Sequence, residues 1–308
     1  ESPYDDVWIQ PASGDAGSAL GAALWYWHHE LNRPRTVAAV GEVRDAMAGA
    51  QLGPRFDGDA IAAWLTDISQ AHAQHADRSD LHREVAGRLA DGQVVGWFHG
   101  RMEFGPRALG NRSILADARR PDIHRRLNLQ IKGRESFRPF APAVLWEHAS
   151  DWFEVDRPLP YMTVVADVAP NRLVDPGPAA PGATFEQRAT MVRSEIPACT
   201  HVDGSARVQT VHRELNPGFH DLLTRFHEQT GCPVVLNTSF NIAGEPIVCT
   251  PDDALASAGR MGLDVLVLED CIVDLRAASE GPAVDPTSGV EALPADPRAP
   301  GPVGSLDG

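Results

Sequence analysis

Lys132 is the only lysine among the 27 Lys and Arg residues of this 308-residue chain, and it lies inside a cluster of arginines. Between Arg101 and Arg138 stand ten basic residues: Arg101, Arg107, Arg112, Arg119, Arg120, Arg125, Arg126, Lys132, Arg134 and Arg138. Only Glu103, Asp117, Asp122 and Glu135 oppose them, a local excess of six positive charges in a protein of net charge −15. A compact cationic site in an anionic protein suits a small polyanion such as a phosphate ester or nucleotide. The competing reading is a solvated basic helix face. Glycines, prolines and aromatics interleave these charges, which favours a shaped pocket. In a chain so biased toward arginine, a retained lysine marks a position that wants a compact, strongly hydrated ammonium and not a planar fork.

The rest of the composition narrows the class. Hydrophobic residues make up 43% and charged residues 22%, as in a soluble domain with a core. The acidic balance argues against nucleic acid or an anionic membrane as partner. No apolar run approaches the ~20 residues of a membrane span. Glu1-Ser2-Pro3 opens neither a basic nor an apolar leader, and Cys199, Cys232, Cys249 and Cys271 show no C-x-x-C spacing. A reducing, cytoplasmic setting is expected.

The elements that must hold the basic cluster alternate between strand and helix, which predicts an α/β chain. Val7–Ile9 reads as a short strand, residues 11–17 as a tight turn and 18–30 as a helix, with Gly17 and Gly21 on one face for close backbone packing. Asp15 in that turn fits either a helix N-cap or a metal or phosphate ligand. Residues 31–58, rich in Gly and Pro, read as a connector with little core of its own. Asp59 is expected to cap a helix with Ile61, Trp64, Leu65 and Ile68 on one face, and Asp80 one with Leu81, Val85 and Leu89. Residues 94–98 form a buried strand that runs into the basic cluster. Residues 220–230 form a helix closed by Gly231, 233–236 a strand, 251 onward a helix opened by Thr250, and 265–268 a further strand. From Ala277 to Gly308, six prolines and five glycines predict a disordered acidic tail.

Several segments in order resemble one family. Gly100-Arg101-Met102-Glu103-Phe104-Gly105-Pro106-Arg107-Ala108-Leu109-Gly110-Asn111-Arg112-Ser113 is similar to the signature of NodU-type carbamoyltransferases. Lys132-Gly133-Arg134-Glu135-Ser136-Phe137-Arg138-Pro139-Phe140, Thr200-His201-Val202-Asp203-Gly204-Ser205-Ala206-Arg207, Leu236-Asn237-Thr238-Ser239-Phe240-Asn241 and Gln10-Pro11-Ala12-Ser13-Gly14-Asp15 also match. Coverage runs from about Val7 to Leu275.

The resemblance implies a fold and a chemistry. Residues 1–51 would be the end of an actin-like carbamoyl-transfer domain with its connector, and 52–276 a YrdC-like twisted mixed sheet with helices, followed by the 277–308 tail. The second domain would make carbamoyl-adenylate from carbamoyl phosphate and ATP with Mg2+. The first, with Fe2+ or a similar divalent metal, would pass the carbamoyl group to a hydroxyl of a natural product. Arg107, Lys132, Arg138 and Arg207 would hold the phosphate and carbamoyl oxygens. Ser239 and Asn241, with Asn237 and Arg101, would contact the nucleotide or carbamoyl group, and Asp15 would be a metal ligand. Arg101, Arg112 and Arg134 also fit packing or rim positions. The family's histidine pair would lie upstream of residue 1, and no H-x-x-x-H occurs here, so an actin-like N-terminal half is the expected partner. Rival readings are a non-catalytic remnant that binds nucleotide or docks as a subunit through the apolar face of Leu20–Trp27, and a tRNA-modifying acyl-adenylate synthase, the latter disfavoured by the acidic charge.

Overall fold

The computed structural model describes Pro3 and residues 7–36, 42, 43 and 45–278. Its centre is a mixed sheet of eight strands: β1 (Ala73–Gln74), β2 (Val95–Phe98), β3 (Arg112–Asp117), β4 (Ala141–Leu145), β7 (Gln209–Val211), β8 (Val234–Ser239), β9 (Val265–Leu268) and β10 (Cys271–Asp274). The order across the sheet is β1-β10-β9-β2-β3-β8-β4-β7, and β5 (Ala166–Asp167) with β6 (Ser205–Ala206) makes a small separate ribbon. β2–β9 and β4–β7 run parallel; the other pairs of the large sheet are antiparallel. The α/β class and the mixed sheet with helices are as the sequence predicts.

Nine α-helices surround these strands among the described residues: α1 (Ser18–Trp25), α2 (Gly58–Asp67), α3 (Arg78–Ala90), α4 (Pro121–Arg126), α5 (Ala149–Trp152), α6 (Phe185–Ala189), α7 (Pro217–Thr230), α8 (Pro251–Met261) and α9 (Leu275–Ala278). In α7 the buried residues Phe219, Leu222, Leu223 and Phe226 follow the 3, 4 and 7 spacing of one helix face. That face packs on α3 and on β4 and β8. Gly231 in the left-handed region ends α7, and a Thr250–Asp253 capping box with Pro251 at the first turn opens α8. Both ends are legible from the residues alone.

Other expectations need correction. Val7–Ile9 is not a strand: it is exposed and belongs to neither sheet. The helix after it does form, as α1 continued by a π-turn over Tyr26–Glu30. Gly17 packs closely, since a Cβ there would meet the Ala12 carbonyl, whereas Gly21 faces open space. The caps of α2 and α3 are Asp57 and Asp77, while Asp59 and Asp80 lie in the first turns. An aspartate in either place suits the N-terminal dipole, so composition cannot separate them.

The connector is the larger surprise. Val43, Met47, Ala50 and Phe56 are buried. Met47 and Ala50 form a second small core with Leu109, Ala141, Tyr161 and Met162, against which Leu20 and Phe104 pack. A Gly/Pro-rich stretch hides such a core because its few apolar residues follow no helical or strand period. The predicted tail lies outside the described residues, apart from its first two positions, which complete α9. No helix among the described residues is long and apolar enough to cross a membrane.

Candidate functional site

Strand register brings the motifs together. Ser239 at the C-terminal end of β8 lies opposite Ser113 at the start of β3, and Asn237 lies opposite both Leu115 and Ala141. β7 begins at Gln209, which pairs with Ala143 of β4. The loops that precede β3, β4 and β7, and the one that follows β8, therefore meet at one end of the sheet. These loops carry Arg107, Lys132 to Arg138, Arg207 and Asn241.

Lys132 is the centre of that end. It follows the π-turn Leu127–Ile131, and Gly133 in the left-handed region turns the chain immediately after it. Its Nζ donates to the Ser239 carbonyl, to the Asn241 carbonyl at 3.0 Å, to Asn241 Oδ1 at 3.1 Å and, at 3.4 Å, to Ser239 Oγ. Ser239 Oγ donates to Asn241 Oδ1 at 2.6 Å, and Asn241 Nδ2 donates to the Glu245 carbonyl at 2.8 Å. Each of these oxygens facing the ammonium is neutral. Lys132 is 4% exposed, and burial first, then the Arg134 charge, pulls its pKa down to about 7. An amine held in this way favours an arriving anion.

The arginines add to that field. Arg207 is half-buried, and its pKa is lowered to about 10 by burial first, then by Arg107 and Arg134. Burial and neighbouring like charges make this guanidinium costly to keep ionised, a cost that an anion would offset. Arg134 is held by Asn128, whose Oδ1 accepts from Nε at 2.7 Å, and by stacking over Phe140 at 4.8 Å. Its charge acts on both Lys132 and Arg207. Arg134 thus belongs to the site, where sequence reasoning leaves it as packing or rim. Its position two residues after the only lysine, on the same turn, is the signal that could have found it.

The remaining expected residues divide. Arg107 is exposed at the tip of its loop. Arg138 is exposed at the rim, 3.8 Å from Glu135. Asn237 is buried behind the site and not in it: Nδ2 donates to Gln209 Oε1 at 2.8 Å and to the Ala108 carbonyl at 3.2 Å. Arg101 donates to the Gly53 carbonyl at 2.8 Å and so ties the connector to the loop. At both positions the bonds seen here brace neighbouring chain.

A cleft of about 380 Å³ adjoins the cationic end, lined among others by Phe137, Pro139, Thr200, His201 and Asp203. Phe137 and Pro139 flank Arg138, and Thr200 to Asp203 lead toward Arg207. Its mixed apolar and polar wall is of a size to take a small flat group. Asp15 is exposed in the first turn of a 3-10 helix, with Gly14 and not Asp15 in the cap position. Among the described residues no three His, Cys, Asp or Glu side chains gather as metal ligands.

Residues 86–275 match the protein family described as carbamoyltransferase C-terminus. An uncharacterized protein of Synechocystis is 50% identical over 274 residues, covering 89% of this chain and 44% of that protein. Nodulation protein NolO of Bradyrhizobium diazoefficiens is 39% identical over 279 residues, covering 90% of this chain and 46% of that protein. The 3'-hydroxymethylcephem-O-carbamoyltransferase of Amycolatopsis lactamdurans is 34% identical over 269 residues, covering 87% of this chain and 44% of that protein. The chain spans less than half the length of these relatives.

Proposed function

The chain belongs to the carbamoyltransferase C-terminal family, and on that premise we propose that its basic pocket activates carbamoyl phosphate with ATP. Cleavage of carbamoyl phosphate by water releases orthophosphate and leaves carbamate. A carbamate oxygen then attacks the α-phosphorus of ATP, expels pyrophosphate and gives carbamoyl-adenylate. Both substrates are highly anionic, so the main task of the protein is to hold them together against their repulsion.

Lys132, Arg134 and Arg207, with Arg107 at the tip of its loop, supply that charge, and Arg138 guards the rim. Ser239 and Asn241 supply direction: their hydroxyl and amide oxygens fix Lys132 and lie at the strand end where a carbamoyl N–H can be read. The cleft beside Phe137 and His201 takes the nucleoside. Mg2+ travels with the phosphates of ATP. The observation that carries this reading is Lys132 itself, a buried ammonium faced by neutral oxygens.

In this reading, transfer to a hydroxyl of a natural product falls to a partner half outside this chain, expected to be actin-like and to hold Fe2+ or a similar metal. The exposed Asp15 does not make a metal site with other described residues, so the side chains of this segment do not by themselves fit such an ion. The test is to incubate the chain with carbamoyl phosphate, ATP and Mg2+. Carbamoyl-phosphate-dependent pyrophosphate release is expected, with no carbamoylation of an added alcohol. A folded sample that releases no pyrophosphate would sink the assignment for this chain.

A further inference from the structure

The loop that carries Arg107 is closed at its base by a single carboxylate oxygen. Glu103 is buried, 5% exposed, and its Oε1 accepts from the backbone N–H of Leu109 at 2.6 Å, of Asn111 at 2.8 Å and of Arg112 at 3.4 Å. Three donors converging on one oxygen suit an anion better than a neutral carbonyl. Arg112, wholly buried, stacks 3.5 Å over the Phe98 ring and donates to the carbonyls of Asn111 at 2.9 Å and Gly100 at 3.1 Å. Burial holds the Glu103 carboxyl above its usual range, an effect that the Leu109 amide and the Arg112 charge offset only in part.

The rest of the loop is fastened as well. Phe104 N donates to the Ala50 carbonyl at 2.7 Å. Gly105 lies against Pro11 and Ala12, where a Cβ would come within 3.1 Å of the Pro11 carbonyl. The Ala108 carbonyl accepts from Asn237, and Leu109 enters the second core. Trp97 Nε1 donates to the Gly110 carbonyl at 2.9 Å. Pro106 and Arg107 alone in this loop are exposed. The result is a stiff ring of chain with one cation at its apex.

We propose that Glu103 is a positioning residue: its carboxylate closes the 103–112 loop so that Arg107 is held toward Arg207 and the anion that both bind. Glu103 does not itself reach the ligand, because the side chain is buried, with Oε1 under backbone donors and Oε2 shut off from solvent. Its contribution is to remove the freedom that a flexible loop would otherwise lose on binding. The proposal rests on reading the basic end of the sheet as an anion site.

Titration calorimetry of inorganic pyrophosphate with the full chain tests it. Glu103→Ala should weaken binding roughly tenfold, as for one misdirected charge-assisted contact. In an Arg107→Ala background the same change should cost less than about twofold, because interacting sites are not additive. Glu103→Gln, which keeps an acceptor oxygen, should stay within about threefold of the parent. An equal loss in both backgrounds means general packing damage and overturns the proposal, as does parent-like binding by Glu103→Ala. If Glu103→Ala does not fold, Glu103→Asp, which retracts the oxygen by one methylene, replaces it with the same two comparisons. A parent that does not bind pyrophosphate overturns both this proposal and the anion site. Pyrophosphate release from ATP and carbamoyl phosphate, measured separately on the parent, tells the two apart. Non-additive binding without release fails only the carbamoyl activation, and release with additive losses fails only the positioning role.

Discussion

Lys132 and Asn241, 109 positions apart, meet twice: Nζ lies 3.0 Å from the backbone oxygen of Asn241 and 3.1 Å from its side-chain oxygen. A single tetrahedral ammonium satisfies both, together with the Ser239 carbonyl. A guanidinium is planar and longer, and it cannot point three donors into so small a cup. Lys132→Arg should therefore lower carbamoyl-phosphate-dependent pyrophosphate release on the order of a hundredfold, as for loss of a preorganised electrostatic contact. A steady-state assay that finds activity within a few-fold of the parent would remove the special role of lysine.

The same burial gives a pH signature. The Lys132 amine has a pKa of about 7 in the folded chain against an unfolded value of about 10.5. Between those values the unfolded chain binds the extra proton, so stability should rise with pH across that window and level off above it. Below pH 7 both states are protonated and the full burial cost remains. Anion binding runs the other way: above pH 7 the amine must take up a proton to bind pyrophosphate, so affinity should fall. Lys132→Arg should abolish that extra fall relative to the parent. Urea melts and calorimetry in buffers of different ionisation enthalpy would check both slopes.

Much of this site is legible as chemistry before it is legible as geometry. The excess of cations, the single lysine and the Ser-x-Asn pair identify the end of the sheet, because ligand charge has to be matched by side chains that composition reveals. The bracing is not legible. Asn237 and Ser239 lie on the same face of one strand, yet only Ser239 reaches Lys132, since the strand end opens there and Asn237 is covered by Gln209 and Ala108. Glu103 stands among the charges only as an interruption of the basic run. Nothing in its neighbours shows that it turns inward onto three amides. The connector core is hidden for the same reason: its partners, Leu109, Ala141 and Tyr161, lie far along the chain.

Asn237 offers a direct check of bracing against ligand contact. Asn237→Ala removes its bonds to Gln209 and Ala108 and should cost about 1–3 kcal/mol of stability. The loss in pyrophosphate affinity should be smaller than for Ser239→Ala. A thermal melt unchanged from the parent, combined with a large affinity loss, would return Asn237 to the ligand.

Gly110→Ala should be among the most damaging single changes. The residue has φ +101°, and a Cβ there would stand 2.2 Å from the Phe219 ring. Backbone strain and overpacking together predict a loss on the order of 3 kcal/mol. Reduced melting temperature with a broadened near-UV dichroism signal from Trp97, whose indole donates to the Gly110 carbonyl, would be the readout.

The spacing of Lys132 from its partners also governs how the pocket comes into being. The lysine precedes Ser239 by 107 positions, and β8, which delivers Ser239, is paired on both sides by strands from earlier in the chain. Contacts of such range form late and slowly, after the entropy of a long loop has been overcome. On the ribosome the ammonium therefore waits without its oxygens until the segment through Asn241 has emerged. A nascent chain arrested before that point would carry its arginines but no finished receptor for phosphate, so anion binding doubles as a report that β8 has closed between β3 and β4.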